Sequence, residues 1–193
     1  MDIIKTIQLK TPLTKTDIAD LKIGDMLELS GTMYTARDAA HKRLETLWKA
    51  GQPIPVDLKN QFVFYAGPCP AKPGYPVGPI AATTSKRMDC FTEMIFELGA
   101  LGMIGKGDRS DYVPGLCAKY GGIYLLGIGG ASALIAKQVT ACEVIAWDDL
   151  GPESIKKLEV ENMRLIVGID SQGQVFQDRE IAKYRHFCTK NII

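Results

Sequence analysis

Apolar positions along the chain switch between two periods, and the switches mark out its elements. Residues 26–34 alternate in part and predict a strand, with Gly31 as a bulge or a point of close approach. Over 36–50 the stripe Ala40, Leu44, Leu47 and Trp48 repeats at helical spacing. Thr35 and Asp38 form its expected capping pair, and Gly51 with Pro53 stops it. Residues 62–66 and the fully apolar run 123–128 predict buried strands. Over 88–98 the helical period returns through Phe91, Met94, Ile95 and Leu98. The remaining expectations are a short helix after the Thr14/Asp17 capping pair, strands at 100–104 and 143–147, and helices at 111–120, 133–139 and 178–186. Strands at 158–160 and 165–169 read as a pair closing on the turn Ser171-Gln172-Gly173. Residues 67–79 hold five Pro and three Gly, too many breakers for a regular element, and predict a flexible cover over a site. Strands alternating with helices predict an α/β fold, and the late strand pair makes its sheet mixed. The length of 193 residues fits a single domain, 1–193.

Four times a strand runs into a helix through residues that carry chemistry. These junctions are Thr35-Ala36-Arg37-Asp38, Thr83-Thr84-Ser85-Lys86-Arg87, Gly105-Lys106-Gly107 and Gly127-Ile128-Gly129-Gly130. In α/β sheets the carboxyl ends of parallel strands face one edge, where ligands bind. Two Arg, a Lys, hydroxyls and free N–H groups gathered there would suit a small polyanion, each Arg offering a bidentate fork to a carboxylate. Taken singly, each residue also has a plain reading. Ser85 or Thr84 can be an N-cap, Arg37 a solvated helix charge beside Asp38, and His41, one turn after Arg37, an orienting partner. Gly127-x-Gly129-Gly130 invites a nucleotide, but Ser132 stands where a dinucleotide fingerprint has its third small residue, and no P-loop is present.

Composition narrows the classes. With 46% apolar and 23% charged residues the chain can bury a full core, and its net charge of +1 gives no support to non-specific nucleic-acid binding. No apolar run reaches the roughly 18–20 residues of a membrane span, and residues 1–5 open no signal-peptide core. A cytoplasmic protein is expected. Five scattered cysteines (69, 90, 117, 142 and 188), without a CxxC pair, and two distant histidines predict neither a disulfide framework nor a metal site built by this chain.

The matching motifs are Ala36-Arg37-Asp38-Ala39-Ala40-His41, Tyr65-Ala66-Gly67-Pro68, Thr83-Thr84-Ser85-x-Arg87-Met88-Asp89, Gly105-Lys106-Gly107-Asp108-Arg109-Ser110 and Tyr120-Gly121-Gly122-Ile123-Tyr124. In this order they resemble the β subunit, or C-terminal domain, of the iron–sulfur class I fumarases and the related L-tartrate dehydratases. Ala81-Ala82 stands where that family usually has Gly-Pro. The resemblance implies a swivelling β/β/α domain that closes over a [4Fe–4S] cluster held by a separate α subunit, with a small dicarboxylate as substrate. By motif position Arg37, Thr84, Ser85, Arg87 and Lys106 would bind the substrate carboxylates. Thr83 and Lys106 would be the catalytic residues, and Asp38 and His41 would be orienting residues. Fumarate hydration is the expected reaction. Tartrate dehydration, a nucleotide- or phosphate-binding module and a non-catalytic assembly domain are its competitors.

Overall fold

The computed structural model describes the backbone of residues 6–190 and the side chains of residues 6–185. Residues 1–5, read above for a leader, and the side chains of His186 and Cys188 lie outside them. Seven strands form one sheet: β1 (Thr6–Lys10), β2 (Met26–Thr35), β3 (Phe62–Phe64), β4 (Gly102–Gly105), β5 (Ile123–Gly127), β6 (Val139–Ala146) and β7 (Ile155–Ile169). β1 to β5 are joined in order by parallel pairings, whereas β7 runs antiparallel to β2, β5 and β6. Because β7 pairs with both β2 and β5, the succession β2-β3-β4-β5-β7 closes on itself. The helices are α1 (Lys15–Ile18), α2 (Asp38–Lys49), α3 (Thr92–Glu97), α4 (Val113–Tyr120), α5 (Ser132–Gln138) and α6 (Phe176–Lys190). The fold is α/β with a mixed sheet. No helix among the described residues is long and apolar enough to cross a membrane.

The strand period explains how the closed sheet holds two cores. Phe62, Phe64, Ile104, Ile123 and Leu125 point to one face, where they meet Leu27, Met33, Leu165 and Val167. Their neighbours Val63, Tyr65, Met103 and Tyr124 point to the other, against Ala40 and Leu44 of α2, Met94 and Ile95 of α3, and Cys117 of α4. Both faces of β3 to β5 are buried, so these strands read as unbroken apolar runs.

Several expected elements take a different form. The strand pair at 158–160 and 165–169 is one continuous strand, β7. Its polar middle, Glu161-Asn162, suggested a break, but Asn162 passes through at φ +51 and donates its N–H to Ser30 Oγ at 2.9 Å. Only Thr92–Glu97 of the helix expected over 88–98 is α-helical; a 3₁₀ turn, Ser85–Phe91, precedes it. Thr35 is no cap. Its Oγ is buried and accepts the Lys156 N–H at 3.1 Å, while the Ala39 N–H in the first turn of α2 goes to Glu153 Oε2 at 2.9 Å. Val139 opens β6 instead of closing a helix. The alternation Thr6-Ile7-Gln8-Leu9-Lys10 is the signal for β1, a strand outside the expected set.

Other readings hold. Asp17 Oδ2 accepts the Thr14 N–H at 2.7 Å and so closes the start of α1. Gly31 sits at φ +100 at a register shift of β2 on β7, and a Cβ there would overlap Thr11 Oγ. The 67–79 stretch is irregular but anchored: Val77 is buried in the inner core, and Cys69 exchanges backbone hydrogen bonds with Gly78 and Pro79 at 3.0 Å.

Candidate active site

Four parallel strands, β2 to β5, bring their C-terminal ends to one edge; three junctions follow β2, β4 and β5 directly, whereas no strand runs into Thr83-Thr84-Ser85-Lys86-Arg87, which an irregular stretch after β3 returns to that edge. The middle two interlock. Thr84 and Lys106 form a parallel bridge in which Lys106 N–H donates to Thr83 O at 3.1 Å and Ser85 N–H donates to Lys106 O at 3.0 Å. The Thr83 N–H reaches Tyr65 O, just beyond β3, at 2.7 Å. The bridge fixes which residues share a face. Thr84 and Lys106 stand opposite each other and both are exposed, whereas Ser85 turns inward and is fully buried.

Thr83 is half-buried, and its hydroxyl donates to Tyr65 O at 2.7 Å, which leaves its lone pairs unengaged. Ser85 Oγ lies 2.8 Å from Tyr124 Oη, and Tyr124 donates to Gly107 O at 3.1 Å. Since a phenol has one proton, the Ser85 hydroxyl must donate to Tyr124. Gly105 makes room for this contact, because a Cβ there would overlap Ser85 Oγ. In the same way Gly127 accommodates Ala82, whose Cβ would lie 2.8 Å from a Cβ on Gly127. The fourth junction thus has a packing reason for its first glycine.

Each predicted arginine has an acidic partner. Arg87 grips Asp38 with Nε on Oδ1 at 3.0 Å and Nη2 on Oδ2 at 3.2 Å. Arg37 Nη2 lies 3.5 Å from Glu153 Oε1. Lys106 differs: among the described residues its Nζ has no ion pair or hydrogen bond. His41 is buried, stacks on Phe91 at 5.3 Å, and places Nδ1 2.8 Å from Arg37 O. A carbonyl can only accept, so Nδ1 carries the proton and Nε2 is a buried acceptor without a partner among the described residues.

Electrostatics follow the partners. The Arg87 hydrogen bonds hold the Asp38 carboxyl below its usual range. Burial pulls His41 down to about 4, so the ring is neutral at pH 7. Burial likewise pushes Tyr65 up to about 12 and Tyr124 upward as well, keeping both phenols protonated.

Beneath the edge lies a buried ion pair outside the predicted set. Asp89 accepts from Arg109 Nε and, at 2.6 Å, from the Ser110 N–H; both side chains are only 2% exposed. The Arg109 guanidinium also donates to Thr92 Oγ at 2.8 Å and lies 4.7 Å from the Tyr124 ring centre. Tyr65, Asp89, Arg109, Tyr124 and Glu153 are the site-forming residues that junction-by-junction reading passes over. Four of them occur in the motifs quoted above, but nothing local distinguishes a buried Arg from a solvated one.

No group of three or more His, Cys, Asp or Glu among the described residues could hold a metal ion. What the described residues offer is a cationic and hydroxyl-bearing edge suited to carboxylates.

A family model described as "Fumarase C-terminus" matches residues 2–179. The chain is 36% identical to the anaerobic class I fumarate hydratase of Escherichia coli K12 over 175 residues, 90% of this chain and 32% of that protein. It is 40% identical to fumarate hydratase 1, mitochondrial, of Leishmania major over 152 residues, 78% of this chain and 28% of that one. Against the L(+)-tartrate dehydratase subunit beta of Escherichia coli K12 it is 36% identical over 170 residues, 86% of this chain and 83% of the subunit. The chain therefore spans about a third of the length of the fumarate hydratases it matches and most of the length of the tartrate dehydratase subunit. This chain belongs to the fumarase C-terminus family.

Proposed function

We propose that the chain is the β subunit of an iron–sulfur-dependent hydro-lyase that interconverts malate and fumarate in the cytoplasm, and that the whole chain forms the one domain that does this work. The observation that carries the reading is the Thr84–Lys106 bridge, which puts an ammonium with no partner among the described residues beside the Thr83–Arg87 turn at the edge where Arg37 and Arg87 also lie. A four-carbon dicarboxylate needs two cationic anchors, and this edge has more than one. A [4Fe–4S] cluster on a separate α subunit would supply Lewis-acid activation of the leaving hydroxyl.

The chain's own residues would do the rest. Lys106 and Thr84 would bind one carboxylate as a charge and a hydroxyl donor. Arg87 would bind the second, turned toward it by Asp38, with Arg37 lining the same edge and Ser85 supporting the turn from below. His41 would orient Arg37 through its backbone carbonyl. Thr83 would face the carbon that loses its proton. A neutral hydroxyl that accepts a proton must release its own, and the Tyr65 carbonyl can hold that proton but not keep it. Thr83 would therefore work as a relay to a carboxylate of the α subunit, with the Lys106 charge favouring its electron-rich form.

The extent of the match to a free-standing tartrate dehydratase β subunit favours L-tartrate as the second substrate to test. The test is an anaerobic assay of the chain alone and co-expressed with a cluster-bearing α subunit, offered malate, fumarate and L-tartrate. An inert lone chain and a complex that interconverts malate and fumarate are expected. Turnover of tartrate would keep the mechanism and change the substrate. A cluster-loaded complex inert toward all three, or tight nucleotide binding by the lone chain, would overturn the reading.

A further inference from the structure

One buried phenol ties together the two loops that would hold the substrate. Tyr124 lies on β5, the strand beside β4, with its ring fully buried and its hydroxyl just beneath the site edge. There the hydroxyl meets two segments that are remote from it and from each other in sequence. It accepts from Ser85 Oγ, in the middle of Thr83-Thr84-Ser85-x-Arg87, and donates to the carbonyl of Gly107, the residue after Lys106. The line Ser85 O–H to Tyr124 O–H to Gly107 C=O has one direction and no spare proton. It works only with a protonated phenol, which burial ensures.

The ring is fixed in its turn. Arg109 lies over its face at 4.7 Å and is pinned by Asp89 and Thr92. Asp89 belongs to the 3₁₀ turn that carries Arg87, and Arg109 follows the Gly105-Lys106-Gly107 loop by two residues. The ion pair therefore joins the same two segments as the phenol. Two cross-links of different chemistry brace one pair of loops.

We propose that Tyr124, backed by the Asp89–Arg109 pair, is a positioning residue that sets the spacing between Thr84 and Lys106 and thereby the fit of one substrate carboxylate. This rests on the hydro-lyase reading for its substrate, but not for its geometry. Without the hydroxyl, the buried Ser85 O–H would lose its acceptor and the exposed Gly107 carbonyl would lose its tie to the core. The bridge of Lys106 N–H to Thr83 O and Ser85 N–H to Lys106 O would then open more often.

The test compares wild type with Tyr124→Phe in two measurements. The first is amide hydrogen exchange on the full chain. Ser85 and Lys106 should exchange roughly tenfold faster in the variant, about one hydrogen bond's worth, with β2 and β7 unchanged. The second is steady-state kinetics of the complex with its α subunit. A loosened carboxylate clamp should raise KM about tenfold while kcat changes less than about threefold. A merely structural role would lower the active fraction, and so the apparent kcat, without moving KM. Arg109→Lys, which keeps the charge but cannot fork to Asp89 and Thr92, should shift KM the same way by a smaller factor. Unchanged exchange at Ser85 and Lys106, or a loss confined to kcat, overturns the proposal. An inactive wild-type complex whose variant still shows faster exchange at those two amides would instead refute the hydro-lyase reading and leave the brace standing.

Discussion

Arg87 and Asp38, which are 49 residues apart, meet through two nearly parallel hydrogen bonds of 3.0 and 3.2 Å, a fork on a carboxylate. The carboxylate lies in the first turn of α2 and the guanidinium in the 3₁₀ turn Ser85–Phe91, so the pair fastens the first junction to the second. It is also the arrangement a substrate carboxylate would seek. Asp38 holds the guanidinium in the plane it would present, and the Arg87 side chain remains 47% exposed.

Replacing Asp38 by Asn tests that relationship. The pair is too exposed to matter much for folding, so unfolding in urea should shift by less than about 1 kcal/mol. Catalysis by the complex should suffer far more, because Arg87 would lose the partner that orients it. Arg87→Lys should not restore activity, since an ammonium cannot reproduce the fork. Loss of stability with catalysis unchanged would reverse the assignment.

Lys106→Ala separates binding from folding more sharply still. With no partner for its Nζ among the described residues, the change should leave the unfolding free energy within about 0.5 kcal/mol. Turnover by the complex should fall by roughly a hundredfold or more, as when a charge-assisted contact to a buried substrate is removed. Circular dichroism melts and initial rates on the same preparations decide it.

Gly105→Ala should behave in the opposite sense. Its Cβ would overlap Ser85 Oγ and lie 3.1 Å from the Tyr65 ring, so the neighbours must move. A cost of roughly 1–3 kcal/mol is expected, typical of overpacking a filled site. Ser85→Gly in the same chain should recover part of it, since it removes the group that is struck. Denaturant midpoints of the single and double variants measure the coupling.

His41 gives the chain a defined acid sensitivity. Its pKa is about 4 when folded against 6.5 when exposed, because burial disfavours the imidazolium. Between these values the unfolded chain binds the extra proton, so His41 costs nothing above about pH 6.5. Its destabilisation grows as pH falls and is complete below pH 4, at about 3 kcal/mol. Asp38, whose folded pKa is depressed by Arg87, adds stability that is present above its ordinary value of 3.8 and is lost as pH falls through the lower folded value. The two losses therefore come in sequence, His41 first. Urea unfolding at pH 7 and pH 4.5 should separate wild type from His41→Asn, with the variant less sensitive to the change. Equal sensitivity would show that the ring is not buried neutral.

Much of this molecule was legible in the chain. The two periods located β2, α2, β3, β4, α4 and β5, because a strand buried on both faces or a helix with one apolar stripe writes its environment into consecutive residues. The junction motifs pointed to Arg37, Thr83, Thr84, Ser85, Arg87 and Lys106, and the rule that parallel strands share a carboxyl edge predicted that they would meet. What the sequence could not say is how each of these groups is partnered. Ser85, read as a cap or as a residue binding a substrate carboxylate, faces inward because Gly105 leaves it room and Tyr124 offers a hydrogen bond. Thr35, read as a cap, is buried by β7, while Glu153 does the capping from more than a hundred residues away. β7 itself runs straight through a polar dipeptide because β2 pairs with it along one edge while β5 and β6 share the other. The local pattern decides which residues want to be strand, helix or edge. Only closure of the sheet, which brings distant backbones within hydrogen-bonding reach, decides which polar groups are consumed inside the protein and which, like Lys106, find no partner among the described residues.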